Sequence, residues 1–445
     1  MISYLLLTKF QVVEDRNLRS IIILVLLLVS VGTGSAQQPQ TSSPEATDKA
    51  KLDSLRRSGI EALYNLDYDK AERDFKEIVR LYPSHPAGPQ LLAARLWIKT
   101  LYESRRLQSS LYSSESFYSS GDDKVDPKII TAFRNLTREA KRLAEVRLKQ
   151  NPKDIEALDW LAAIQGLKAS FEEAVERRHF AALKDADDAV DHHREVLKLD
   201  PSFIDAGLTV GLYEYVVGSL PLPIKVVAGI TGFRGSKKRG LAMLERVTKE
   251  GTWSRDDAKT LLIVLYTREK RFSDALSHAR DLSAKYPRNY LFRLEAADAL
   301  VSQAEVERKN KNIEAAVKAE REAFATFDDL LHDRSVRDTV SRALDLVHFK
   351  YGEVLLTAGE GERAAKEFLA ATRVERAEPT LVTMAHLYAA RSFDLAGKRD
   401  DALSQYREVL TRPDIYAAHD EAKKGLREPY KAESVLSEPP AIAGR

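Results

Sequence analysis

The residues best suited to metal chemistry stand together at Asp187, Asp188, Asp191, His192 and His193. Imidazole nitrogens and carboxylate oxygens are common ligands of zinc and other transition metals. The spacing argues against a shared ion, because neighbouring side chains on a helix point about 100° apart. We therefore interpret this stretch as a solvated helix face and predict no metal site.

A basic cluster at Arg234, Lys237, Lys238 and Arg239 has the residue types that bind anions. We expect a helix from Gly240, and the free backbone N–H groups of a helix N-terminus also attract negative charge. The cluster could hold a phosphate, a lipid head group or an acidic peptide. The alternative is a purely structural turn. The P-loop spacing G-x-x-x-x-G-K-[ST] is absent.

Catalytic motifs are missing from the sequence. It contains no H-E-x-x-H zinc motif, no G-x-S-x-G nucleophile elbow and no G-x-G-x-x-G dinucleotide fingerprint. Cysteine is absent, which excludes disulfides and thiolate nucleophiles. We predict that the protein is not an enzyme and uses no cofactor or metal ion; an enzyme with an unrecognised site is the weaker alternative.

The elements that carry these residues are helices. From residue 49 the apolar residues recur with a helical period almost to the end of the chain, and no strand pattern stands out. Gly59, Ala71, Phe75 and Pro83 have the spacing of a tetratricopeptide repeat, a hairpin of two helices. Small residues let the two helices cross closely, Phe75 fills the groove beside them, and Pro83 ends the second helix.

The same spacing recurs further along the chain. Ala275 and Pro287 repeat the interval between Ala71 and Pro83. Two later units carry it as Gly352, Ala364, Phe368 and Ala371, and then as Ala390, Phe393, Ala402, Tyr406 and Pro413. The sequence therefore predicts an all-α solenoid of helical hairpins, a tetratricopeptide-like α-α superhelix with an irregular elongated central unit.

The N-terminus predicts export. Lys9, Arg16 and Arg19 precede a short apolar run at 21–31, and small residues follow up to Ala36. This is the pattern of a secretory signal cleaved after Ala36. An uncleaved anchor is the alternative. We expect the protein in the periplasm or at the cell envelope.

The chain is expected to divide into six segments. They are a signal peptide or anchor at 1–36, a disordered linker at 37–48, N-terminal helical repeats at 49–204, a central unit at 205–253, C-terminal helical repeats at 254–430 and a disordered tail at 431–445. A Ser/Tyr-rich stretch at 107–124 predicts a loop within the N-terminal repeats.

The central unit differs from the others in being apolar and rich in Gly and Pro. We expect a helix from Asp205 to Val217 with Leu208, Leu212 and Tyr215 facing inward, broken by the prolines that follow. The later residues of this unit resemble those of a known family. The matching residues are Ser219, Leu220, Pro221, Gly232, Phe233, Gly235, Gly240, Leu241 and Leu244.

The resemblance is to the tetratricopeptide-repeat proteins of the inclusion-body-clearance and repeat-39 family, which carry a Ser-Leu-Pro segment followed by G-F-x-G-D-R-x-x-G-L-x-x-L. The chain departs from that motif at Ser236, where the family has Asp, and at Lys237, where it has Arg. The resemblance covers about forty residues. It implies an all-α repeat scaffold without known catalytic chemistry.

The charge balance bears on the partners. Lys and Arg number 69 and Asp and Glu 67, a formal net charge of +2, which argues against a protein devoted to nucleic acid. We expect protein partners, bound as extended segments in the concave groove, where Tyr213 and Tyr215 could line the surface. The alternative is a membrane-surface or lipid-binding protein that uses the apolar and basic stretch 216–239.

Overall fold

A computed structural model of the chain describes residues 44–108, 125–221, 234–333 and 340–431. In these ranges the chain forms seventeen α-helices and no strand, which confirms the all-α prediction. The helices are α1 (Pro44–Tyr64), α2 (Tyr68–Leu81), α3 (Ala87–Glu103), α4 (Pro127–Gln150), α5 (Ile155–Phe171), α6 (His179–Leu199), α7 (Gly207–Ser219), α8 (Lys237–Glu250), α9 (Arg255–Arg268), α10 (Phe272–Lys285), α11 (Tyr290–Lys309), α12 (Ile313–His332), α13 (Leu344–Thr357), α14 (Gly361–Thr372), α15 (Pro379–Leu395), α16 (Arg399–Leu410) and α17 (Ala418–Arg427).

Several predicted segments lie outside the described residues. These are the signal at 1–36, most of the loop at 107–124, the apolar stretch from 222 with the Gly-Phe turn, and the tail after residue 431. The linker prediction was too long, because α1 already begins at Pro44 and includes residues 44–48.

The chain divides into two compact units, residues 1–299 and 300–445, and the boundary falls within α11. In unit 1 each helix from α1 to α10 packs against the next one in the chain. The same holds in unit 2 from α12 to α17. Each unit is therefore built from successive helical hairpins, as expected of a solenoid.

Five hairpins share one turn geometry. In each, a residue with positive φ between the two helices is followed five positions later by an alanine that is 0% exposed. The pairs are Leu66 with Ala71, Lys270 with Ala275, Lys311 with Ala316, Gly359 with Ala364, and Gly397 with Ala402. The left-handed residue reverses the chain, and the alanine lets the second helix approach the first.

Three of these five turns place a side chain where glycine would be preferred. We expect Lys270→Gly to raise the free energy of unfolding by about 0.5 to 1 kcal/mol, because Lys270 is exposed and its φ of 58° strains an L-residue. Urea unfolding measures the change. Ala242→Gly, an exposed position in the interior of α8, should instead lose about 1 kcal/mol, and a loss at both positions would contradict the prediction.

The predicted contacts inside the repeats are present. A Cβ on Gly59 would collide with the ring of Phe75, and a Cβ on Gly352 would lie 2.8 Å from the ring of Phe368. Phe75 and Phe368 are both 0% exposed. The recurring Gly and Phe therefore mark the closest approach of the paired helices, as the spacing predicted.

Candidate functional site

The central unit is an unusually close pair of helices, α7 and α8. Leu208 and Tyr215 of α7 are buried, as expected, while Leu212 is only partly buried. A Cβ on Gly240 of α8 would lie 2.5 Å from the backbone O of Gly211 and 2.5 Å from the backbone N of Tyr215. The two backbones therefore touch at Gly240, which holds the start of α8 against the middle of α7.

The start of α8 differs from the expectation in a way that matters for anion binding. The helix begins at Lys237 rather than Gly240, and Ser236 caps it by accepting a hydrogen bond from the backbone N of Arg239. The carboxylate of Glu214, on α7, accepts from the backbone N of Ser236 at 3.0 Å and from Arg239 Nη2 at 2.9 Å. An acidic side chain of the protein itself therefore occupies the helix N-terminus.

A second carboxylate neutralises Lys237. Its Nζ lies 2.7 Å from Glu269 Oε1, and the same oxygen accepts a hydrogen bond from the Tyr215 hydroxyl at 2.7 Å. The pKa of Glu269 is lowered, with the bonds from Lys237 and Tyr215 outweighing the effect of burial, which raises it. Tyr215 is 2% exposed, so its ring belongs to the core rather than to a partner-binding surface.

The predicted site residues therefore separate into two groups. Lys237, Arg239 and Tyr215 are engaged in contacts with carboxylates of the same chain, Arg239 with Glu214 and the other two with Glu269. Arg234 and Lys238 are exposed, and Tyr213 is half-buried with the guanidinium of Arg194 4.7 Å from its ring centroid.

The acidic and histidine stretch on α6 needs a correction. His193 is 2% exposed, and its Nε2 lies 3.1 Å from Asp159 Oδ1 on α5. The prediction of a solvated face was wrong at His193, because this residue lies in line with the buried Val196 on the face that meets α5. In the described ranges no cluster of three or more His, Cys, Asp or Glu side chains could hold a metal ion.

A group of carboxylates at the start of α9 joins distant parts of unit 1. Asp205, which precedes α7, accepts hydrogen bonds from the backbone N atoms of Thr252 at 3.1 Å, Trp253 at 3.0 Å and Ser254 at 2.8 Å. These three successive N–H groups belong to the segment that leads into α9, and the last of them is that of the cap residue Ser254. Asp205 therefore fixes the entry to α9 from another element.

Two neighbouring acids at the same helix end hold α1 and α10. Asp257 accepts a hydrogen bond from the hydroxyl of Tyr64, and Asp256 accepts one from the hydroxyl of Tyr286 at 2.6 Å. The two tyrosine rings stack with centroids 4.6 Å apart. Burial raises the pKa of Asp257 to about 8 together with the nearby Asp256 and Asp205, against the lowering effect of the Tyr64 hydroxyl. The buried carboxyl group of Asp257 therefore stays protonated at pH values where an exposed aspartate is ionised.

This acid should make stability depend on pH. Because the pKa of Asp257 is about 8 in the folded chain and 3.8 in the unfolded one, the folded state retains a proton between these values. The contribution of Asp257 to the free energy of unfolding is therefore complete below pH about 4. It falls by up to about 1.4 kcal/mol per pH unit as the pH rises to 8. We expect Asp257→Asn, which keeps the acceptor oxygen, to flatten that slope in urea unfolding between pH 5 and 8. The exposed Asp69→Asn is the control, and an unchanged slope in Asp257→Asn would contradict the assignment.

Unit 1 contains a fully buried arginine, Arg56 on α1. It is 1% exposed, and its guanidinium carbon lies 4.7 Å from the ring centroid of Trp160 on α5 and 3.8 Å from that of Trp253 before α9. The exposed Arg57 lies over the ring of Trp253 at 4.4 Å. We call Trp160, Arg56 and Trp253 the arginine stack. It joins the first of the described helices to elements about one hundred and two hundred residues later.

Sequence reasoning missed the arginine stack, although a signal was present. Leu52, Arg56, Gly59 and Leu63 lie on one face of α1, and all four are buried. A charge on an otherwise apolar helix face marks a residue that is buried with a specific partner. The partners themselves lie too far along the chain for local spacing to reveal them.

The helices also bear on the membrane question. None of those among the described residues combines the length and apolar character that crossing a membrane requires.

Comparisons with known proteins show no family for this chain. No family model matches the chain, and no curated protein does. Solved structures similar to it include the human IFIT1 dimer with m7Gppp-AAAA, at 14% identity and a TM-score of 0.43 over 93% of this chain and 85% of that one. Yeast Tom70 is similar at 12% identity and 0.34, over 86% and 96%. A tetratricopeptide repeat protein from Parabacteroides merdae is similar at 13% and 0.30, over 76% and 99%.

Values this low carry no argument about function. The tetratricopeptide-like architecture rests on the repeated hairpins, their shared turn and the contacts between glycine and phenylalanine. The resemblance to the inclusion-body-clearance family stays a prediction.

Proposed function

We propose that the chain is a non-catalytic scaffold of helical repeats that is exported and binds protein partners at the cell envelope. The observation that carries this proposal is a set of exposed cationic side chains on and beside the central unit, Arg194, Arg234 and Lys238, with the half-buried ring of Tyr213 under the guanidinium of Arg194. We call it the central face. It combines an aromatic ring with cationic side chains, which is the composition enriched at protein interfaces and suited to acidic segments.

The packing beneath the central face supports a binding role. Glu214, next to Tyr213, fixes Ser236 and Arg239, and the Gly240 crossing holds α7 and α8 together. A surface carried by such closely packed helices is held in one geometry before a partner arrives, and this lowers the entropic cost of binding. The resemblance to the repeat-39 family, which falls in the same unit, agrees with a scaffold role.

The alternative, a lipid surface, has less support. Two of the four cations that would meet anionic head groups are already paired, Lys237 with Glu269 and Arg239 with Glu214. Attraction to an anionic membrane gains about 1 kcal/mol per free Lys or Arg near the surface, so two exposed cations bind weakly. A discrete protein partner that also contacts Tyr213 makes fuller use of this surface.

A photo-crosslinker in place of Tyr213 tests the partner directly. We expect irradiation of cells to join the chain to one or a few envelope proteins, and the double change Arg234→Glu with Lys238→Glu to reduce that product at least fivefold. Lys249→Glu, on the last turn of the same helix, is the matched control and should leave the product unchanged. Unchanged crosslinking in the double variant would contradict the proposal.

Two further measurements separate the alternatives. Mass spectrometry of the protein recovered from cells should find a mature N-terminus at Gln37, and a retained segment 1–36 would support the anchor.

Flotation with anionic liposomes should be weak and should not change in Arg234→Glu. If flotation is strong and the double variant Arg234→Glu with Lys238→Glu abolishes it, lipid binding is favoured over binding of a protein partner.

A further inference from the structure

The arginine stack has hydrogen-bonding capacity that the described residues do not use. Arg56 Nη1 lies 3.5 Å from Asp53 Oδ1, at the limit of a hydrogen bond, whereas Nε and Nη2 are buried and have no acceptor among the described side chains and backbone. These two atoms form one edge of the guanidinium, with two parallel N–H groups. A buried donor without an acceptor costs free energy, so a native structure is expected to supply one.

Other arginines of this protein show what that edge binds. Nε and Nη2 of one guanidinium donate to the two oxygens of one carboxylate in several pairs of the described residues. They include Arg80 with Glu77 at 2.7 and 2.6 Å, Arg142 with Glu139 at 2.8 and 2.6 Å, Arg147 with Asp154 at 3.0 and 3.1 Å, and Arg134 with Glu176. In Arg56 this edge has no such carboxylate, and the guanidinium carbon lies against two tryptophan rings instead.

The neighbouring rings add further donors. Trp160 Nε1 and Trp253 Nε1 are also buried and have no acceptor among the described residues. Indole Nε1 can only donate, so all the unused polar atoms of the arginine stack are donors. A group with several donors and no acceptor fits a ligand that brings acceptors, and the positive charge favours an anion.

The surrounding charges limit the size and charge of that ligand. Asp53 lies at the other end of the guanidinium, and Asp159 beyond it is held by His193. Burial lowers the pKa of Arg56 to about 10, against the raising effect of Asp53, Asp159 and Glu156, so these carboxylates compensate the charge only in part. A small anion of one charge completes the balance, whereas a large polyanion would meet the two acids.

We propose that the arginine stack is the binding site of a small oxyanion, which accepts hydrogen bonds from Arg56 Nε and Nη2 between the rings of Trp160 and Trp253. A carboxylate such as formate or acetate presents two acceptor oxygens in the plane of the guanidinium, and inorganic phosphate presents the same pair. The site goes beyond the proposed scaffold role, because it lies inside unit 1 and apart from the central face. The exposed Arg57, over the same ring of Trp253, places it one side chain below the surface.

Calorimetric titration of the full chain with sodium formate, sodium acetate and sodium phosphate tests this site, with sodium chloride at equal ionic strength as the reference. We expect one molecule of oxyanion per chain. Trp253→Phe, which keeps an aromatic ring and removes one N–H donor, should weaken binding about tenfold. Arg56→Met should abolish it, and Arg57→Gln should change it less than twofold.

The remaining outcomes separate the sources of the oxyanion and the ways in which the proposal fails. Binding of formate and acetate alone identifies a carboxylate site, and binding of phosphate alone identifies a phosphate site. The proposal is overturned if none of the three binds, if Arg56→Met binds as the wild type does, or if a crystal grown in saturating formate shows only water on the Arg56 edge. If Arg56→Met does not fold, the oxyanion affinity of Trp253→Phe still tests the proposal.

Discussion

Gly240→Val is expected to lower the stability of unit 1 by about 3 kcal/mol or more. The new Cβ would lie 2.5 Å from two backbone atoms, Gly211 O and Tyr215 N, and backbone cannot move aside as a flexible side chain can. The helices would have to separate, which disrupts the bond from Ser236 to Glu214 and the contacts of Lys237 and Tyr215 with Glu269. The overpacking is therefore expected to damage both the core and the central face.

Urea unfolding followed by tryptophan fluorescence measures this loss, because all three tryptophans, Trp97, Trp160 and Trp253, lie in unit 1. Gly207→Ala is the matched control on α7. Its Cβ would meet only the Val247 Cγ2 methyl group, at 3.1 Å, so its cost should stay below about 1 kcal/mol. Equal effects of the two changes would show that the close crossing at Gly240 is not what stabilises the pair.

The repeats could be predicted from the sequence because their signals are local. Gly59 and Phe75 contact each other within one hairpin, and the interval recurs at Gly352 and Phe368. The hairpin of α11 and α12 escaped this reasoning, since its turn at Lys311 lies in a highly charged stretch. Ala304, Ala316 and Ala323 stand at the intervals of Gly352, Ala364 and Ala371, but Glu320 takes the place of the phenylalanine, and alanines alone are a weak signal.

The candidate site was harder to predict because its contacts join residues that are distant in the sequence. The basic cluster was recognised by its composition, but Glu214 and Glu269, which neutralise half of it, lie 25 and 32 residues from Arg239 and Lys237. His193 gave no sign of its burial against Asp159 on another helix. Residue types therefore indicated charge, whereas only the packing of α7, α8 and α9 shows how much of that charge remains available.

Arg56→Ala is expected to cost unit 1 about 3 to 5 kcal/mol, because it removes the side chain that fills the space between Trp160 and Trp253. Arg57→Ala is the matched control at the next position. It removes the same side chain from over the same ring of Trp253, but Arg57 is exposed, so the loss should stay below about 1 kcal/mol. Similar losses of stability in Arg56→Ala and Arg57→Ala would show that burial of Arg56 in the arginine stack does not stabilise the fold.

Arg56→Met divides the effect of packing from the effect of charge. Methionine fills part of the same space without bringing unpaired donors into the interior, and replacement of a buried charge by an apolar side chain of similar shape is often neutral or stabilising. We therefore expect Arg56→Met to retain most of the stability that Arg56→Ala loses, when both are unfolded in urea without added oxyanion. If methionine is as costly as alanine, the guanidinium itself stabilises the fold. If methionine is tolerated, stability does not require an arginine between Trp160 and Trp253, and the titration with formate, acetate and phosphate decides whether binding of an oxyanion requires it.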